Sequence, residues 1–517
     1  MRNRILQAIS EGWYLPVFEH ILMKDFFKRI LTIYNVLDVF ELDEKSTVAL
    51  YGSNSQNWIA IYLACLLKGV RLLIIHPNIN KFEAVHIQLL TNTNHVFIDE
   101  ELISKELGSN IFLRTLINIE LLSVVYEKND QTYFKTLAEI IVSSEETLNV
   151  DLRSLQAVIE DIDIESSIIT ATSGTENGEP KWVESSTESV TDLLNRAMSV
   201  VPFGRTIDKV FSRVEFADSH YLTVLLPFVT GCRFITNHKD AEIVIEDTTS
   251  IEDIWRKNVN YLYSKRVLSF LFSISWMKWL FKKIATLKMK SYYGKKLEAL
   301  IIYNSVVNDE LLLTLVGKLP IYTTYGSQET NQLVAINNYS TAKKRSPGAV
   351  GVVLPGLSFI TTEDELEISG DTLFNNYVGD ESYTREVRFR DNYVTGDIGF
   401  DDSNSNVLFV YGRKLARIQN EYKLPIQLDK LERIIKSIPY IEEVLFVKRH
   451  NKLALLVYPD VNFAETKKLG YLRFEELMKV YLNKINTEIG EHIDGLIILD
   501  DPLLKTHDNK ICRYFYS

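Results

Sequence analysis

The chain alternates between short apolar runs and longer segments whose apolar residues recur every three or four positions, the pattern of strands exchanging with amphipathic helices. Thr47-Val48-Ala49-Leu50-Tyr51 reads as a strand. After a Gly52-Ser53 turn, Trp58, Ile61, Tyr62, Cys65 and Leu66 fall at helical spacing, and Gly69 stops that helix. Leu72 to Ile75 and His95 to Asp99 are further strands, so this part predicts a parallel sheet covered by helices. The rhythm returns from Tyr221 to Ile235, broken by Pro227 and Gly231, and again at Leu300 to Tyr303. No solenoid repeat is visible.

Towards the C-terminus the texture changes. Leu428, Leu431, Ile434, Ile435 and Ile438 mark a helix, and Val444 to Val447 and Leu453 to Tyr458 read as two strands about an Arg449-His450-Asn451-Lys452 turn. The expected architecture is α/β: a large N-terminal domain, 1–411, of helix-covered mixed sheets, followed by a small α+β domain, 412–517.

With 517 residues, 46% hydrophobic and 24% charged, the chain has the composition of a globular protein of more than one domain. A formal net charge of −11 argues against nucleic acid as its main partner, since phosphate backbones demand clustered Lys and Arg. Cys65, Cys232 and Cys512 lack metal-ligand spacing and read as free thiols of a reducing cytoplasm. Met1-Arg2-Asn3-Arg4-Ile5 is basic, but Glu11 and nearby polar residues interrupt any signal-peptide core, and no apolar run reaches the ~20 residues of a spanning helix.

Chemistry concentrates first in Thr172-Ser173-Gly174-Thr175-Glu176-Asn177-Gly178-Glu179-Pro180-Lys181, which follows the apolar run Ile168 to Ala171. A loop leaving a buried strand has backbone N–H groups free to face an anion. Gly174 and Gly178 permit close approach, Ser173 and Thr175 add hydroxyls, Thr175 is a candidate Mg²⁺ contact, and Lys181 is a charge for a β- or γ-phosphate. On this segment alone a polar surface loop is an equally good reading.

The loop resembles the T-S-G-T-T-G-x-P-K-G signature of the adenylate-forming superfamily, the acyl- and aryl-CoA synthetases and their relatives. It has one extra residue before Gly178, and Trp182 stands where a glycine is usual. Further family elements follow in the family's order. Tyr325-Gly326-Ser327-Gln328-Glu329 is similar to Y-G-x-T-E, which implies a Tyr325 ring on adenine, Gln328 beside the nucleotide, and Glu329 on Mg²⁺. Ser346 to Gly351 with Leu354-Pro355-Gly356 resembles an architectural stretch. Thr395-Gly396-Asp397 resembles T-G-D, giving Asp397 the ribose diol, and Gly412-Arg413-Lys414 resembles the hinge, with Arg413 reaching ribose or phosphate. Thr506-His507-Asp508-Asn509-Lys510-Ile511-Cys512-Arg513 resembles the terminal T-x-x-G-K-x-x-R, whose lysine swings into the site with a mobile small domain. Lys510 is therefore the implied catalytic residue, assisted by Thr175 and Glu329. Asn509 occupies a glycine position and tolerates φ > 0.

The resemblance runs from about Val48 to Arg513, and Tyr51 to Trp58 is closest to the long-chain fatty acyl-CoA ligase branch. It implies ATP, Mg²⁺ and CoA, and a fatty or similar apolar carboxylic acid as substrate. No charged residue is evident near the expected acid tunnel to pair an α-amino group. Departures fall on the substrate and second-step machinery: Tyr303-Asn304-Ser305 replaces Gly-Gly-Ala, Leu415 replaces a charged hinge residue, and Lys423 replaces a glycine in the loop after it. Tyr303 and His220 are candidate substrate contacts, His220 lying where the family carries a histidine near the tunnel. Two alternatives accompany the acyl-CoA reading: transfer to an acyl carrier protein's phosphopantetheine, and a non-catalytic acyl- or nucleotide-binding relative. The segment from Trp276 to Ile284, basic and aromatic, reads as a helix packing its aromatics inward, with weak peripheral membrane contact as the alternative. Oligomeric state is not legible.

Overall fold

A computed structural model describes residues 1–107, 115–128, 131–136, 166–174, 178–203, 209–264, 275–303, 309–341, 343–346, 348–402, 407–419, 425–436, 438, 440–449, 452–461, 470–489, 493 and 495–516. The large part of the chain holds two extended sheets. In the first, nine strands lie in the spatial order Asn376–Tyr377, Trp182–Ser186, Ser167–Ala171, Arg71–Ile75, Thr47–Tyr51, His95–Ile98, Thr115–Asn118, Ser123–Lys128 and Gln131–Thr136. The five from Ser167–Ala171 to Thr115–Asn118 are parallel, as the alternation predicts, and antiparallel strands complete both edges. These central strands read as continuous apolar runs because helices cover them, among them Gln56–Lys68, which carries Trp58, Tyr62 and Cys65 fully buried.

The second sheet is mixed in the same way. Lys209–Ser212, Ile243–Asp247, Ala299–Tyr303 and Ile321–Tyr325 run parallel, and antiparallel strands from Ala335–Asn337 onward extend it. The Tyr221 to Ile235 stretch forms a helical segment with a π turn, Tyr221–Leu225, where the sequence rhythm suggests strand and helix; only Arg233–Phe234 is strand. The chain kinks just before that turn, at Ser219 (φ −150°, ψ 55°).

Strand Val407–Arg413 still pairs in the large sheet, and the chain leaves it through a 3₁₀ turn, Lys414–Ala416. Leu415 at that turn is 77% exposed, while its neighbours are tied to the sheet by Lys414–Glu365 (2.5 Å) and Arg417–Asp364 (3.0 Å). Beyond it, helices Leu428–Lys436 and Tyr471–Ile489 cover a three-stranded sheet of Ile441–Arg449, Lys452–Pro459 and Gly495–Ile498 around its own core of Ile435, Phe446, Leu455 and Met478. The turn at 450–451 lies outside the described residues.

The C-terminal unit is docked on the large one. Arg256 Nη1 donates to the Ile441 carbonyl at 3.3 Å, and Lys436 pairs with Glu252 at 3.5 Å. The Trp276 to Ile284 segment belongs to helix Ser275–Tyr293, but its side chains through residue 282 lie outside the described residues; further along, Ala285, Met289 and Tyr293 are buried. Among the described residues no helix is long and apolar enough to cross a membrane.

Candidate active site

The parallel strands of both sheets deliver their carboxyl ends to one cleft, where open α/β sheets place ligands. Strand Ser167–Ala171 runs into the phosphate loop, Arg71–Ile75 into His76, Ala299–Tyr303 ends on Tyr303, and Ile321–Tyr325 on Tyr325.

The phosphate loop is tied at its base. The Thr172 N–H donates to the Lys181 carbonyl at 2.8 Å, and the Lys181 N–H to Thr172 Oγ1 at 2.9 Å. Gly174 and Gly178 both have positive φ (67° and 81°), and the Gly178 N–H closes onto the Gly174 carbonyl at 3.0 Å. A Cβ at Gly174 would stand 2.8 Å from the Glu179 backbone, and one at Gly178 2.8 Å from the Tyr514 ring. The cradle therefore requires both glycines. Ser173 is half-buried between Thr172 and Gly174, and Thr175 lies outside the described residues. Lys181 Nζ sits over the Tyr383 ring, 2.8 Å from its centroid, with Tyr377 5.4 Å away.

Tyr377 also donates its hydroxyl to Glu329 Oε1 at 2.8 Å, so Lys181 and the candidate metal carboxylate share one tyrosine. Glu329 is nearly buried on a 3₁₀ turn, Gln328–Thr330, held by a Ser327–Thr330 capping box. One carboxylate is a sparse ligand set, which suits Mg²⁺, an ion that keeps several waters and borrows phosphate oxygens. No cluster of three His, Cys, Asp or Glu forms a metal cage among the described residues.

Asp397 and Arg413 face each other directly across two antiparallel strands. Asp397 accepts from Tyr325 Oη at 2.6 Å, and its other oxygen lies 3.4 Å from Arg413 Nε. Arg413 also donates to the Thr395 carbonyl at 2.8 Å. Burial, then the Asp397 charge, raises the Tyr325 phenol well above its ordinary value, so it is a neutral donor. Tyr325, Asp397 and Arg413 are thus assembled as one wall.

Lys510 enters from the C-terminal unit. The Thr506 N–H donates to the Lys510 carbonyl at 2.8 Å, closing a tight loop in which Asn509 has φ 63°. Lys510 Nζ lies 2.7 Å from Asp508 Oδ2. Loss of hydration lowers the lysine's pKa, but Asp508 and then Asp218 outweigh it and leave the pKa above the ordinary value, with Arg413 opposing. Behind Lys510 the tail reaches back over the phosphate loop, Cys512 Sγ approaching the Gly174 carbonyl at 3.9 Å. Arg513 is anchored by the buried Glu432, with Nη1 to Oε1 at 3.1 Å.

The other side of Lys510 departs from the sequence reading. Asp218 and Lys510 act on each other's charge, a carboxylate on the large unit that the sequence reading did not weigh. The helix Phe216–His220 that carries it kinks at Ser219, which separates it from His220. Burial, and then Asp508, raises the Asp218 carboxyl well above its usual range, against Lys510. His76 Nε2 lies 3.6 Å from Asp218 Oδ2, while His76 Nδ1 accepts from the Asn78 N–H at 3.1 Å. The His76 ring tilts against His507 of the incoming loop, centroids 5.1 Å apart. Burial, then His507, lowers the His76 pKa to about 3, so the imidazole is neutral.

His220 turns into the core, its Nδ1 2.8 Å from Tyr62 Oη. Tyr303 donates its hydroxyl to the Asp218 carbonyl at 2.9 Å. Gln328 has its amide occupied by protein: Nε2 donates to the same carbonyl at 3.0 Å, and Oε1 accepts from Thr170 Oγ1 at 3.0 Å and Gln332 Nε2 at 2.9 Å. Of the candidates, the structure groups Gly174, Gly178 and Lys181, then Tyr325, Asp397 and Arg413, with Lys510 paired to Asp508 on the docked tail; it directs His220 into the core. The sequence reading missed Tyr377, Tyr383, His76, Asp218 and Asp508. His76 had a signal, a polar residue at the carboxyl end of a buried parallel strand.

A family description for AMP-binding enzymes matches residues 21–371, and the chain belongs to that family. In structure it is similar to O-succinylbenzoate coenzyme A synthetase (MenE) from Bacillus subtilis in complex with ATP and magnesium ion: 13% identity, 100% of this chain and 99% of that one covered, TM-score 0.70. Anthranilate CoA ligase AuaEII in complex with anthranoyl-AMP gives 13% identity, 99% and 96% coverage and TM-score 0.72. McyG A-PCP complexed with phenylalanyl-adenylate gives 14%, 100% and 94%, and 0.73. At these identities the likeness shows the fold, that of adenylate-forming ligases with a large and a small domain. No curated protein matches in sequence.

Proposed function

We propose that this protein is an ATP-dependent, AMP-forming acid–thiol ligase that joins a fatty or similar apolar acid to the α-phosphate of ATP, releases pyrophosphate, and passes the acyl group to the thiol of CoA. The observation that carries this reading is the docking of the tail that bears Lys510 on the glycine loop, with Cys512 Sγ 3.9 Å from the Gly174 carbonyl and the Tyr514 ring packed at Gly178. On this reading, Asp397 and Arg413 hold the ribose, the Tyr325 ring flanks adenine, and Ser173, Gly174, Gly178 and Lys181 cradle the phosphates together with Thr175. Glu329 and Thr175 are the residues that would hold Mg²⁺, which supplies charge neutralisation on the phosphates. Lys510 stabilises negative charge while the acid's carboxylate attacks. We take the units to divide as 1–411 and 412–517 and the protein to work in the cytoplasm. An acyl carrier protein is the alternative thiol donor, since Lys423 alters the loop the family uses in the second step.

One observation favours a second substrate reading. Asp218 is a half-buried carboxylate whose charge acts on Lys510, and an acid that also carries an ammonium would pair with it; McyG, similar in structure, is complexed with phenylalanyl-adenylate. The test is a pyrophosphate-release screen with ATP and Mg²⁺, using straight-chain acids from acetate to palmitate and the common amino acids, each with and without CoA. Release with apolar acids and CoA-dependent thioester supports the first reading. Release with amino acids alone replaces it by the second, and none with any acid leaves a binding protein without turnover.

A further inference from the structure

We propose that Asp508 is a positioning residue for Lys510: its carboxylate seats the lysine's ammonium at the junction of the two units before substrate arrives. The inference rests on Lys510 being the adenylation lysine. Asp508 is itself fixed, since Oδ1 accepts from Thr506 Oγ1 at 2.5 Å while Oδ2 takes the ammonium at 2.7 Å, and only 11% of its side chain is exposed. The positive φ of Asn509 folds the backbone back so that residues 508 and 510 pair across a single residue.

A free lysine has four rotatable bonds, and one that must find its place at each turnover loses freedom in the rate-determining complex. Held by one carboxylate oxygen, the ammonium is already placed, and its remaining N–H donors stay available to an incoming carboxylate and phosphate. The charged groups acting on Lys510 are Asp508 from its own loop, Asp218 from the Phe216–His220 helix, and Arg413 from the strand end; His76 and His507 border the two carboxylates, and burial lowers the pKa of both imidazoles. Asp508 is the residue in ion-pair contact, so its loss removes the main force that both holds the amine and keeps it protonated.

The experiment compares Asp508→Asn and Asp508→Glu in wild-type and Lys510→Ala backgrounds, with thermal melts confirming folding. Trace acetylation with acetic anhydride at pH 8, read by mass spectrometry, reports the free-amine fraction and exposure of Lys510, with Lys181 as internal reference. Asp508→Asn is expected to label Lys510 several-fold faster and Asp508→Glu to restore slow labelling, with ATP affinity unchanged. Adenylation, followed as pyrophosphate release with the best acid of the screen, should fall about tenfold to a hundredfold in Asp508→Asn. It should not fall further in the Lys510→Ala background. Unchanged Lys510 labelling in Asp508→Asn, or a loss that persists undiminished in the Lys510→Ala background, overturns the proposal. Undiminished pyrophosphate release in Lys510→Ala itself overturns the underlying reading instead, and the labelling result still decides whether Asp508 holds the amine.

Discussion

The end of the site that we assign to the nucleotide and the end that we assign to the acid are built by different rules. At the nucleotide end, Gly174, Gly178 and Lys181 come from one ten-residue loop, and Asp397 meets Arg413 because adjacent antiparallel strands put them opposite each other. The loop is shaped by its own short-range hydrogen bonds, and the facing pair by the register of two adjacent strands. At the acid end, His76, Asp218, Tyr303 and His507 arrive singly from four separate elements, and each is placed only when the two sheets and the C-terminal unit pack together. Local chemistry makes a motif; long-range packing makes a pocket.

The largest effect should come from Lys510, the residue proposed to act where the two ends meet. Lys510→Ala is expected to leave ATP binding nearly intact and to lower acyl-adenylate formation by on the order of 10²–10³, the usual loss when one charge-stabilising donor is removed. ATP affinity by calorimetry and single-turnover pyrophosphate release separate the two quantities. Unaltered release would break the comparison at its centre, because the ends would then have no shared catalytic group.

Next in size is a stability effect confined to the acid side of the fold. Burial holds the His220 pKa at about 3, whereas the unfolded chain titrates its histidines near 6.5. The folded pKa is depressed, so the unfolded state binds the extra proton between those values. Stability is full above about pH 6.5 and is lost as the pH falls towards 3. At pH 4.5 this histidine should account for about 2–3 kcal/mol of lost stability, two pKa units' worth. His220→Gln keeps an acceptor for Tyr62 Oη and should flatten the slope of unfolding free energy against pH between 6.5 and 4.5 in urea titrations, whatever it does to stability at pH 7. An identical slope in the variant would mean that His220 charges in the folded state. Asp218 works in the opposite sense, its raised pKa favouring the folded state as pH falls, so its effect must be fitted alongside.

The same division explains what the sequence disclosed. Strands such as Thr47–Tyr51 and Ser167–Ala171 and the helix Gln56–Lys68 were legible because their apolar periods are strong and local. The π turn after His220 was not, since five consecutive buried residues, Tyr221 to Leu225, carry no period that separates strand from helix. Lys181, Asp397, Arg413 and Lys510 stand out inside recognisable spacings. Asp218 and Asp508 were passed over because a lone Asp in a short helix or before an asparagine has no local pattern; their meaning lies in the charge they bring to Lys510. Tyr377 is a further case, joining Lys181 to Glu329 from far along the chain.

A smaller effect sharpens the nucleotide side. Asp397→Ala removes a carboxylate that Tyr325 and Arg413 hold ready, and a ribose contact exists in ground and transition states alike. Its loss should raise the KM for ATP by about tenfold, the worth of one hydrogen bond to a charged group, with kcat little changed. A fall in kcat alone would remove Asp397 from the ribose and make it part of the chemistry.

The smallest effects test the acid end directly. Tyr303 ends its strand with its hydroxyl on the Asp218 carbonyl, so the ring spans from the sheet to the helix that carries Asp218. If the acid lies alongside that ring, each buried CH₂ adds about 0.8 kcal/mol, and kcat/KM should climb about fourfold per methylene until Tyr303 closes the space. Tyr303→Gly should then move the optimum to longer acids, at some cost to how firmly Asp218 is held. A flat chain-length series in the wild type would sink the apolar-acid reading. An unshifted optimum in Tyr303→Gly would deny the tyrosine its limiting role. Asp218→Asn decides between the two substrate classes: activity on fatty acids should survive the change within a few-fold, because a CH₂ chain gains nothing from a carboxylate. Activity on an amino acid should be lost preferentially, because its ammonium would face an amide in place of a charge. If Asp218→Asn abolishes turnover of the apolar acids as well, the acid end is not a free-standing specificity pocket but part of the same charge system as Lys510, and the boundary between the two ends disappears.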